Sequence, residues 1–239
     1  MTAASDEGMA YGRGPIDEGT AYGRGPIDEG TAYGRAVPQH DAELTEVGPG
    51  TPCGEFMRRY WLPVYLSANL TTRPMNVRVL GEDLIIFRDG RGRPGLLHPR
   101  CAHRGTTLYY GKVDEAGIRC CYHGWQFDVE GRCIDQPCEP GNGLHKENVR
   151  QPWYPLEERY GLVFAYMGPI AKKPLLPRWD ILENLGPDEK IHTDASSGFK
   201  IGGAEEQAGA LEINPCNWLQ DFENIMDPFH VPILHVSHS

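Results

Sequence analysis

Short apolar runs separated by turn-forming residues dominate the region from position 75 to position 166. Gly and Asp recur between the runs, as in Asp89-Gly and Glu130-Gly, and such pairs are typical of β-hairpin turns. Ordered structure is expected to begin near Glu55, and several short strands at close spacing predict a small antiparallel β-sandwich or barrel. The predicted strands are Met75–Leu80, Leu84–Phe87, Gly95–His98, Trp125–Val129 and Leu162–Tyr166.

The hydrophobic period changes from strand-like to helical after position 214. Between Asn217 and Asp227, the apolar residues Trp218, Phe222 and Ile225 recur at helical spacing, which predicts an amphipathic helix. Prolines at 228 and 232 are expected to disturb the helix beyond that point. Residues 171–187 contain three prolines and are predicted to form a connector with a short helix over 179–185.

The N-terminal region is an exact tandem repeat. Residues 10–20 read AYGRGPIDEGT, residues 21–31 repeat them, and AYGR begins a third copy. A repeat can indicate a solenoid, but each copy holds three Gly, one Pro and a single aliphatic residue larger than Ala. Such a segment buries too little apolar surface to offset its ordering entropy. Residues 1–45 are therefore predicted to be a disordered acidic tail, with a functional tail as the alternative.

Charge and composition exclude two classes of partner. The 239-residue chain carries a formal net charge of −10, and residues 1–46 account for much of it with nine acidic and three basic side chains. Clustered Lys and Arg, which nucleic-acid binding requires, are lacking. The sequence contains neither an apolar run long enough to span a membrane nor a signal peptide, so a cytoplasmic location is expected. In that compartment the seven cysteines are better explained as ligands and free thiols than as disulfides.

Two short motifs carry the candidate chemistry. Cys101-Ala-His103 is followed, after sixteen residues, by Cys120-Cys-Tyr-His123, so that each motif supplies one thiol and one imidazole. A [2Fe–2S] cluster of the Rieske type needs two Cys on one iron and two His on the other. Two loop tips with one residue of each kind would supply this set from opposite sides.

A structural zinc site is the alternative for these four residues, because zinc also accepts two Cys and two His. Zinc fingers usually pair like ligands in C-x₂₋₄-C and H-x₃₋₅-H groups, whereas each pair here is mixed. Glycines at 105 and 124 also adjoin the ligands, where backbone has to approach inorganic sulfide. The pattern therefore favours the iron–sulfur cluster.

With the flanking residues included, the pattern C-x-H-R-G … C-x-x-H-G-W resembles the Rieske domain of bacterial ring-hydroxylating oxygenases. The resemblance implies that Arg104 is a hydrogen-bonding or docking group near the cluster and that Trp125 packs beneath the hairpin. High-potential Rieske proteins tie the two loops with a disulfide at positions that correspond here to Thr106 and Tyr122. The resemblance therefore implies the low-potential, oxygenase version of the cluster.

The segment Asp227-Pro-Phe-His230-Val-Pro-Ile-Leu-His235 matches a second motif of that family, D-x-x-H-x₄-H. The resemblance implies that His230 and His235 are ligands of a mononuclear iron, which needs a face of two His and one carboxylate with open positions for O₂. It also implies that Asp227 is not a ligand but hydrogen-bonds a ligand histidine and a cluster histidine of a neighbouring subunit. The run from Asn217 onward is closest to the phthalate-dioxygenase-like branch.

The resemblance covers about 55–239 and implies a mostly β protein. A Rieske [2Fe–2S] antiparallel β-sandwich domain is expected at 46–170, followed at 171–239 by the start of an α+β, helix-grip-like catalytic domain. The family's third iron ligand lies far downstream, so the chain is expected to be an incomplete α subunit. Standing alone, it is expected to bind the cluster but not a complete catalytic iron.

The activity that the resemblance implies is O₂-dependent hydroxylation or O-demethylation of an aromatic substrate. Electrons are expected from an NAD(P)H-dependent flavin or ferredoxin reductase through the [2Fe–2S] cluster to the mononuclear iron. A bridging Asp227 implies a homo-oligomer, commonly a trimer. The alternatives are a stand-alone Rieske electron carrier and, more remotely, a zinc-stabilised interaction module.

Overall fold

A computed structural model of the chain describes residues 40–144, 146–193 and 216–236. The chain divides into two compact units, Met1–Thr45 and Glu46–Ser239. The predicted disordered tail lies almost wholly outside the described residues, and only the short helix α1, Ala42–Thr45, is described in the first unit. All other described elements belong to the second unit.

Short strands are the main regular elements in the described part of the second unit, as the sequence predicts. The strands are β1 Trp61–Leu66, β2 Met75–Val79, β3 Glu82–Arg88, β4 Pro94–Leu97, β5 Lys112–Asp114, β6 Gly117–Arg119, β7 Gln126–Phe127, β8 Cys133–Asp135, β9 Leu156–Arg159 and β10 Leu162–Tyr166. The helices of this unit are α2 Pro52–Met57, α3 Asp180–Glu183 and α4 Trp218–Met226. Single 3₁₀ turns lie at Ser67–Asn69, Leu108–Tyr110, Pro140–Asn142, Lys146–Asn148 and Ile170–Lys172.

The strands form three antiparallel sheets with the orders β1-β10-β9, β2-β3-β4 and β5-β6-β7-β8. In the middle sheet Ile85 pairs with Leu97, and in the four-stranded sheet Ile118 pairs with Phe127. The loops that follow β4 and β6 carry the two Cys/His motifs. The fold is therefore mostly β and antiparallel, which confirms the predicted class.

The middle sheet is buried on both faces, with strand β3 at its centre. Ile85 and Phe87 point to a core that they share with Phe127 of the four-stranded sheet. Because side chains alternate along a strand, Leu84 and Ile86 point to a second core, which includes side chains of β10. All four β3 residues are at most 1% exposed. The middle sheet thus separates two packed layers.

Strand β10 repeats this two-sided pattern one layer further on. Val163 and Ala165 face the middle sheet, whereas Phe164 and Tyr166 face a third core that includes Leu176 of the proline-rich connector. The indole N–H of Trp61 in β1 donates a hydrogen bond to the carbonyl of residue 174 (3.0 Å). The connector is therefore packed onto the outer sheet.

The predicted strands over β2, β3, β4, β7 and β10 are all present, but β5, β6, β8, β9 and the longer β1 were not predicted. Its sequence WLPVYL contains Pro63, which argues against a strand in a central position. In the structure β1 is an edge strand, and its register with β10 shifts between Pro63 and Tyr65. An edge position with a bulge is where proline is tolerated.

Both predicted helices are present, and each is shorter than its predicted range. Helix α4 begins after Asn217, whose side-chain Oδ1 accepts a hydrogen bond from the N–H of Leu219 (3.0 Å). It ends before Pro228, since the residue that precedes a proline is disfavoured in helical conformation. Within the described ranges, every helix is too short or too polar to cross a membrane.

Substituting Gly131 with Ala is expected to destabilise this unit by about 3 kcal/mol or more. Gly131 has φ +75°, and a Cβ there would lie 2.0 Å from the carbonyl O of Gln151, so left-handed strain adds to a backbone clash. Gly92 is the matched control, because its φ is +82° and no atom lies within 4 Å of a built Cβ. Gly92→Ala should cost only about 1–2 kcal/mol. Equal losses for the two variants in urea unfolding would contradict the packing described here.

Candidate metal centre

The first Cys/His motif lies on a tight loop after strand β4. The N–H of Cys101 donates to the carbonyl O of Thr106 (2.9 Å), and the N–H of Gly105 donates to the carbonyl O of Cys101 (2.9 Å). Gly105 has φ +71°, a left-handed conformation that residues with a Cβ adopt only with strain. These two hydrogen bonds reverse the chain within six residues.

The second motif lies on a loop after β6 with the same hydrogen-bond pattern. The N–H of Cys120 donates to the carbonyl O of Trp125 (2.8 Å), and the N–H of Gly124 donates to the carbonyl O of Cys120 (3.1 Å). Gly124 has φ +73°, and a Cβ there would lie 2.8 Å from Cγ of Pro137. The repeated Cys, His and Gly of the sequence therefore correspond to a repeated loop structure.

The two cysteine sulfurs lie together on the buried side of the site. Cys101 and Cys120 are 3% and 4% exposed and belong to the same buried cluster, in which their thiols interact. Burial raises the pKa of the Cys101 thiol to about 11, although the backbone N–H groups of His103 and Arg104 point to its sulfur and act in the opposite direction. Because a metal ligand must be a thiolate, metal binding here has to displace protons.

The two imidazoles lie on the outer side of the site and contact each other. The ring centroids of His103 and His123 are 4.7 Å apart. His103 also stacks on Trp125, with centroids 4.3 Å apart and ring planes within 2° of parallel. Burial, helped by the nearby charges of His123 and Arg104, lowers the pKa of His103. Neutral imidazole is the form that binds metals.

This donor set fits a [2Fe–2S] cluster of the Rieske type. Two thiols and two imidazoles meet, and each iron of such a cluster takes two protein donors of one kind. The indole N–H of Trp125 is buried beside the stacked imidazole and has no hydrogen-bond partner among the described residues. A buried donor of this kind requires an acceptor, and an inorganic group rich in sulfide would bring acceptors to this neighbourhood.

Gln151 holds the first loop from behind, and sequence reasoning missed it. Its side chain is fully buried, and its Oε1 accepts a hydrogen bond from the N–H of Ala102 (2.8 Å). Its Nε2 donates to the carbonyl O of His98 (2.8 Å) and of Arg100 (2.7 Å). One amide thus fixes the backbone on both sides of Cys101. A single Gln 49 residues from its partner has no sequence pattern that would reveal this role.

Arg119 has the corresponding position at the second loop. Its NH1 donates to the carbonyl O of Gly124 (2.8 Å) and to Oδ2 of Asp135 (2.7 Å). Its Nε donates to Oδ2 of Asp114 (3.0 Å), and its NH2 donates to Oε1 of Gln126 (2.5 Å). The planar guanidinium therefore joins the second loop to strands β5, β7 and β8. No sequence pattern indicates this network either.

The cysteines, all of which lie in the described part of the chain, form no disulfide between the two loops, as predicted. All seven cysteines have free side chains in the structure. Cys121 is exposed beside Cys120, whereas Cys133 is buried in the core below the loops. Residues 106 and 122, the positions of the disulfide in the high-potential proteins, are Thr and Tyr.

The residues of the predicted mononuclear iron site lie at the end of α4. Asp227 caps the helix, and its Oδ1 accepts a hydrogen bond from the N–H of Phe229 (2.8 Å). His230 is partly buried and precedes a π-helical turn over Val231–Val236. This turn includes His235, whose side chain lies outside the described part. In residues 40–144, 146–193 and 216–236, no three His, Cys, Asp or Glu side chains form a site for one metal ion. The iron assignment stays a prediction.

Replacing Gln151 with Leu should weaken the first loop while leaving the core packed. Three hydrogen bonds to backbone groups are lost and their buried partners stay unsatisfied, so unfolding free energy should fall by about 3 kcal/mol or more. Gln126→Leu is the comparison, since Gln126 is also buried (6% exposed) but its side-chain oxygen bonds only the Arg119 guanidinium. It should cost less in chemical denaturation. A loss in Gln151→Leu no larger than in Gln126→Leu would contradict the role of Gln151.

Comparison with known proteins places the site in a defined family. A family model described as "Rieske [2Fe-2S] domain" matches residues 60–154. The matched range includes strands β1 to β8, both loops and the two residues, Arg119 and Gln151, that hold them.

The chain is also similar to curated oxygenase subunits. It is 60% identical over 204 residues to phenoxybenzoate dioxygenase subunit alpha of Ectopseudomonas oleovorans, covering 85% of this chain and 49% of the relative. It is 47% identical over 193 residues to the tert-butanol monooxygenase / tert-amyl alcohol desaturase oxygenase subunit of Aquincola tertiaricarbonis, covering 81% and 37%. It is 38% identical over 205 residues to the 5,5'-dehydrodivanillate O-demethylase oxygenase subunit of Sphingobium sp., covering 84% and 44%.

The chain thus spans about half, or less, of the length of the curated relatives it matches. Within that span, the matched domain and the identities confirm the resemblance found in the two Cys/His motifs. The chain therefore carries a Rieske [2Fe-2S] domain at residues 60–154 and, over 81–85% of its length, is similar to the α or oxygenase subunits of these enzymes.

Proposed function

We propose that Cys101 and Cys120 bind one iron of a [2Fe–2S] cluster and that His103 and His123 bind the other. The paired sulfurs on the buried side and the paired imidazoles on the outer side support this division. Each loop supplies one Cys and one His, but in the folded chain the two Cys lie together and the two His lie together. The family match disfavours the alternative of a zinc-stabilised module.

The chain positions the four donor side chains of this centre and keeps water away from its sulfur side. When bound, the cluster supplies one-electron transfer at a potential set by its charge, hydrogen bonds and exposure. The core packs around the sulfurs of Cys101 and Cys120, so water is kept from that side. The imidazoles of His103 and His123 are only partly buried, which leaves them accessible to a redox partner.

The proposed function of the whole protein is O₂-dependent oxygenation of a small organic substrate. In this proposal His230 and His235 hold a mononuclear non-haem iron that supplies O₂ activation, with Asp227 beside them. An NAD(P)H-dependent flavin or ferredoxin reductase is the proposed electron donor. A homotrimer is proposed from the family resemblance alone.

The observation that carries this proposal is the 60% identity, over 85% of the chain, to a phenoxybenzoate dioxygenase subunit. That relative and the dehydrodivanillate O-demethylase are both named for aromatic substrates, whereas the tert-butanol monooxygenase is named for an aliphatic alcohol. An aromatic acid or aryl ether is therefore the proposed substrate class. All three relatives are named oxygenase subunits or dioxygenase subunits, which disfavours a stand-alone electron carrier.

Replacing either His103 or His123 with Ala should abolish the cluster. Each change leaves one iron with a single protein donor, so less than about a tenth of the visible absorption should remain after anaerobic reconstitution with ferrous salt and sulfide. His98→Ala is the matched control, because His98 is exposed and lies three residues before Cys101. It should retain the full spectrum. Full cluster content in both His103→Ala and His123→Ala would overturn the assignment.

Replacing Asp227 with Asn should separate oxygenation from cluster binding. In cells that express the complete gene product with an NADH-dependent reductase, ¹⁸O₂ should label products formed from an aryl ether carboxylate. Asp227→Asn should lower this labelling about 10- to 100-fold, as loss of a carboxylate beside metal ligands does, with the cluster EPR signal retained. A loaded wild-type protein that labels no product from a panel of aromatic acids and aryl ethers would instead support the electron carrier.

A further inference from the structure

One carboxylate lies against the proposed cluster ligands. The Oε1 of Glu139 is 3.8 Å from Nε2 of His103, and the two side chains are 37% and 16% exposed, respectively. The ring of His123, in contrast, contacts the rings of Tyr122 and His103. The two imidazoles therefore have different electrostatic surroundings.

The turn that carries Glu139 is anchored in the core and packs against the second loop. The N–H of Glu139 donates to the carbonyl O of Gln136 (3.1 Å), and Gln136 itself is 3% exposed. Gly143 covers this side chain so closely that a Cβ there would lie 2.4 Å from Oε1 of Gln136. On the same turn, Pro137 contacts Gly124. Glu139 is therefore held beside the site by its backbone and is not an incidental surface charge.

The orientation of the His103 ring is fixed as well. Its face lies parallel to Trp125 at 4.3 Å, and its Nε2 is directed to Glu139. At 3.8 Å the two atoms are beyond direct hydrogen-bonding distance, so Glu139 acts on this imidazole through its charge.

We propose that Glu139 lowers the reduction potential of the cluster through its negative charge beside His103. The inference rests on the proposed ligation of the cluster by this histidine. Reduction adds one negative charge to the centre, and a fixed carboxylate a few ångströms away opposes that addition. Glu139 thus tunes the centre through its charge and does not bind iron itself.

The test is a spectroelectrochemical titration of Glu139→Gln with dithionite as reductant, followed by visible absorption and EPR. Gln keeps the shape of the side chain and removes its charge. At a fixed ambient potential the ratio of reduced to oxidised cluster should rise about three- to tenfold, where tenfold corresponds to 59 mV for a one-electron couple. Glu139→Asp, which keeps the charge but withdraws it by one methylene, should shift the ratio less and in the same direction.

Glu147→Gln is the matched control, since Glu147 is exposed in the neighbouring turn Lys146–Asn148 and its loss changes the net charge equally. It should leave the ratio within about 1.5-fold of wild type. Equal shifts in the two Gln variants, or a fully loaded Glu139→Gln with the wild-type ratio, would overturn the role of Glu139 while the cluster assignment stands. A wild-type chain that takes up no cluster would overturn the proposed function, and this inference with it.

Discussion

The backbone hydrogen bonds of the two loops hold four donor side chains in place. Two of these side chains are buried cysteines, and the other two are histidines that face outward. In each loop the cysteine N–H and carbonyl O are bonded within the loop itself, and a glycine in left-handed conformation closes the turn. Because backbone groups hold the loops closed, the thiols and imidazoles are left for metal. The remaining structure supports this pair of loops.

The scaffold beneath the loops owes its rigidity to strands buried on both faces. Alternating apolar residues of β3 join the core under the loops to the core of the outer sheet, so the layers move together. Two polar side chains link this scaffold to the loops, Gln151 for the first and Arg119 for the second. Each makes at least one hydrogen bond to a backbone group close to a cysteine. Loop position is thus set by the layers below and not by the bound group alone.

The four candidate donors can be named from the sequence because the chemistry is local, with one Cys and one His within each short loop; their ligation of iron stays a prediction. It also predicted the long apolar strands β2, β3 and β10, since their length makes the period visible. The residues that hold the loops were not predictable, because Gln151 and Arg119 act on backbone atoms that are distant in sequence or not determined by residue type. Strand β1 was missed because Pro63 is read as a strand breaker until its edge position is known. The domain boundaries at 45/46 and 170/171 and the iron ligands His230 and His235 stay predictions.

The central claim is that two loops sort their mixed ligands into a sulfur pair and a nitrogen pair at two iron atoms. Mössbauer spectroscopy of the chain reconstituted with ⁵⁷Fe and reduced by one electron tests this claim most directly. Two iron sites in equal amounts are expected, a ferrous site with nitrogen donors and a ferric site with only sulfur donors. Two sites with identical, all-sulfur ligation, or a single mononuclear iron, would contradict it.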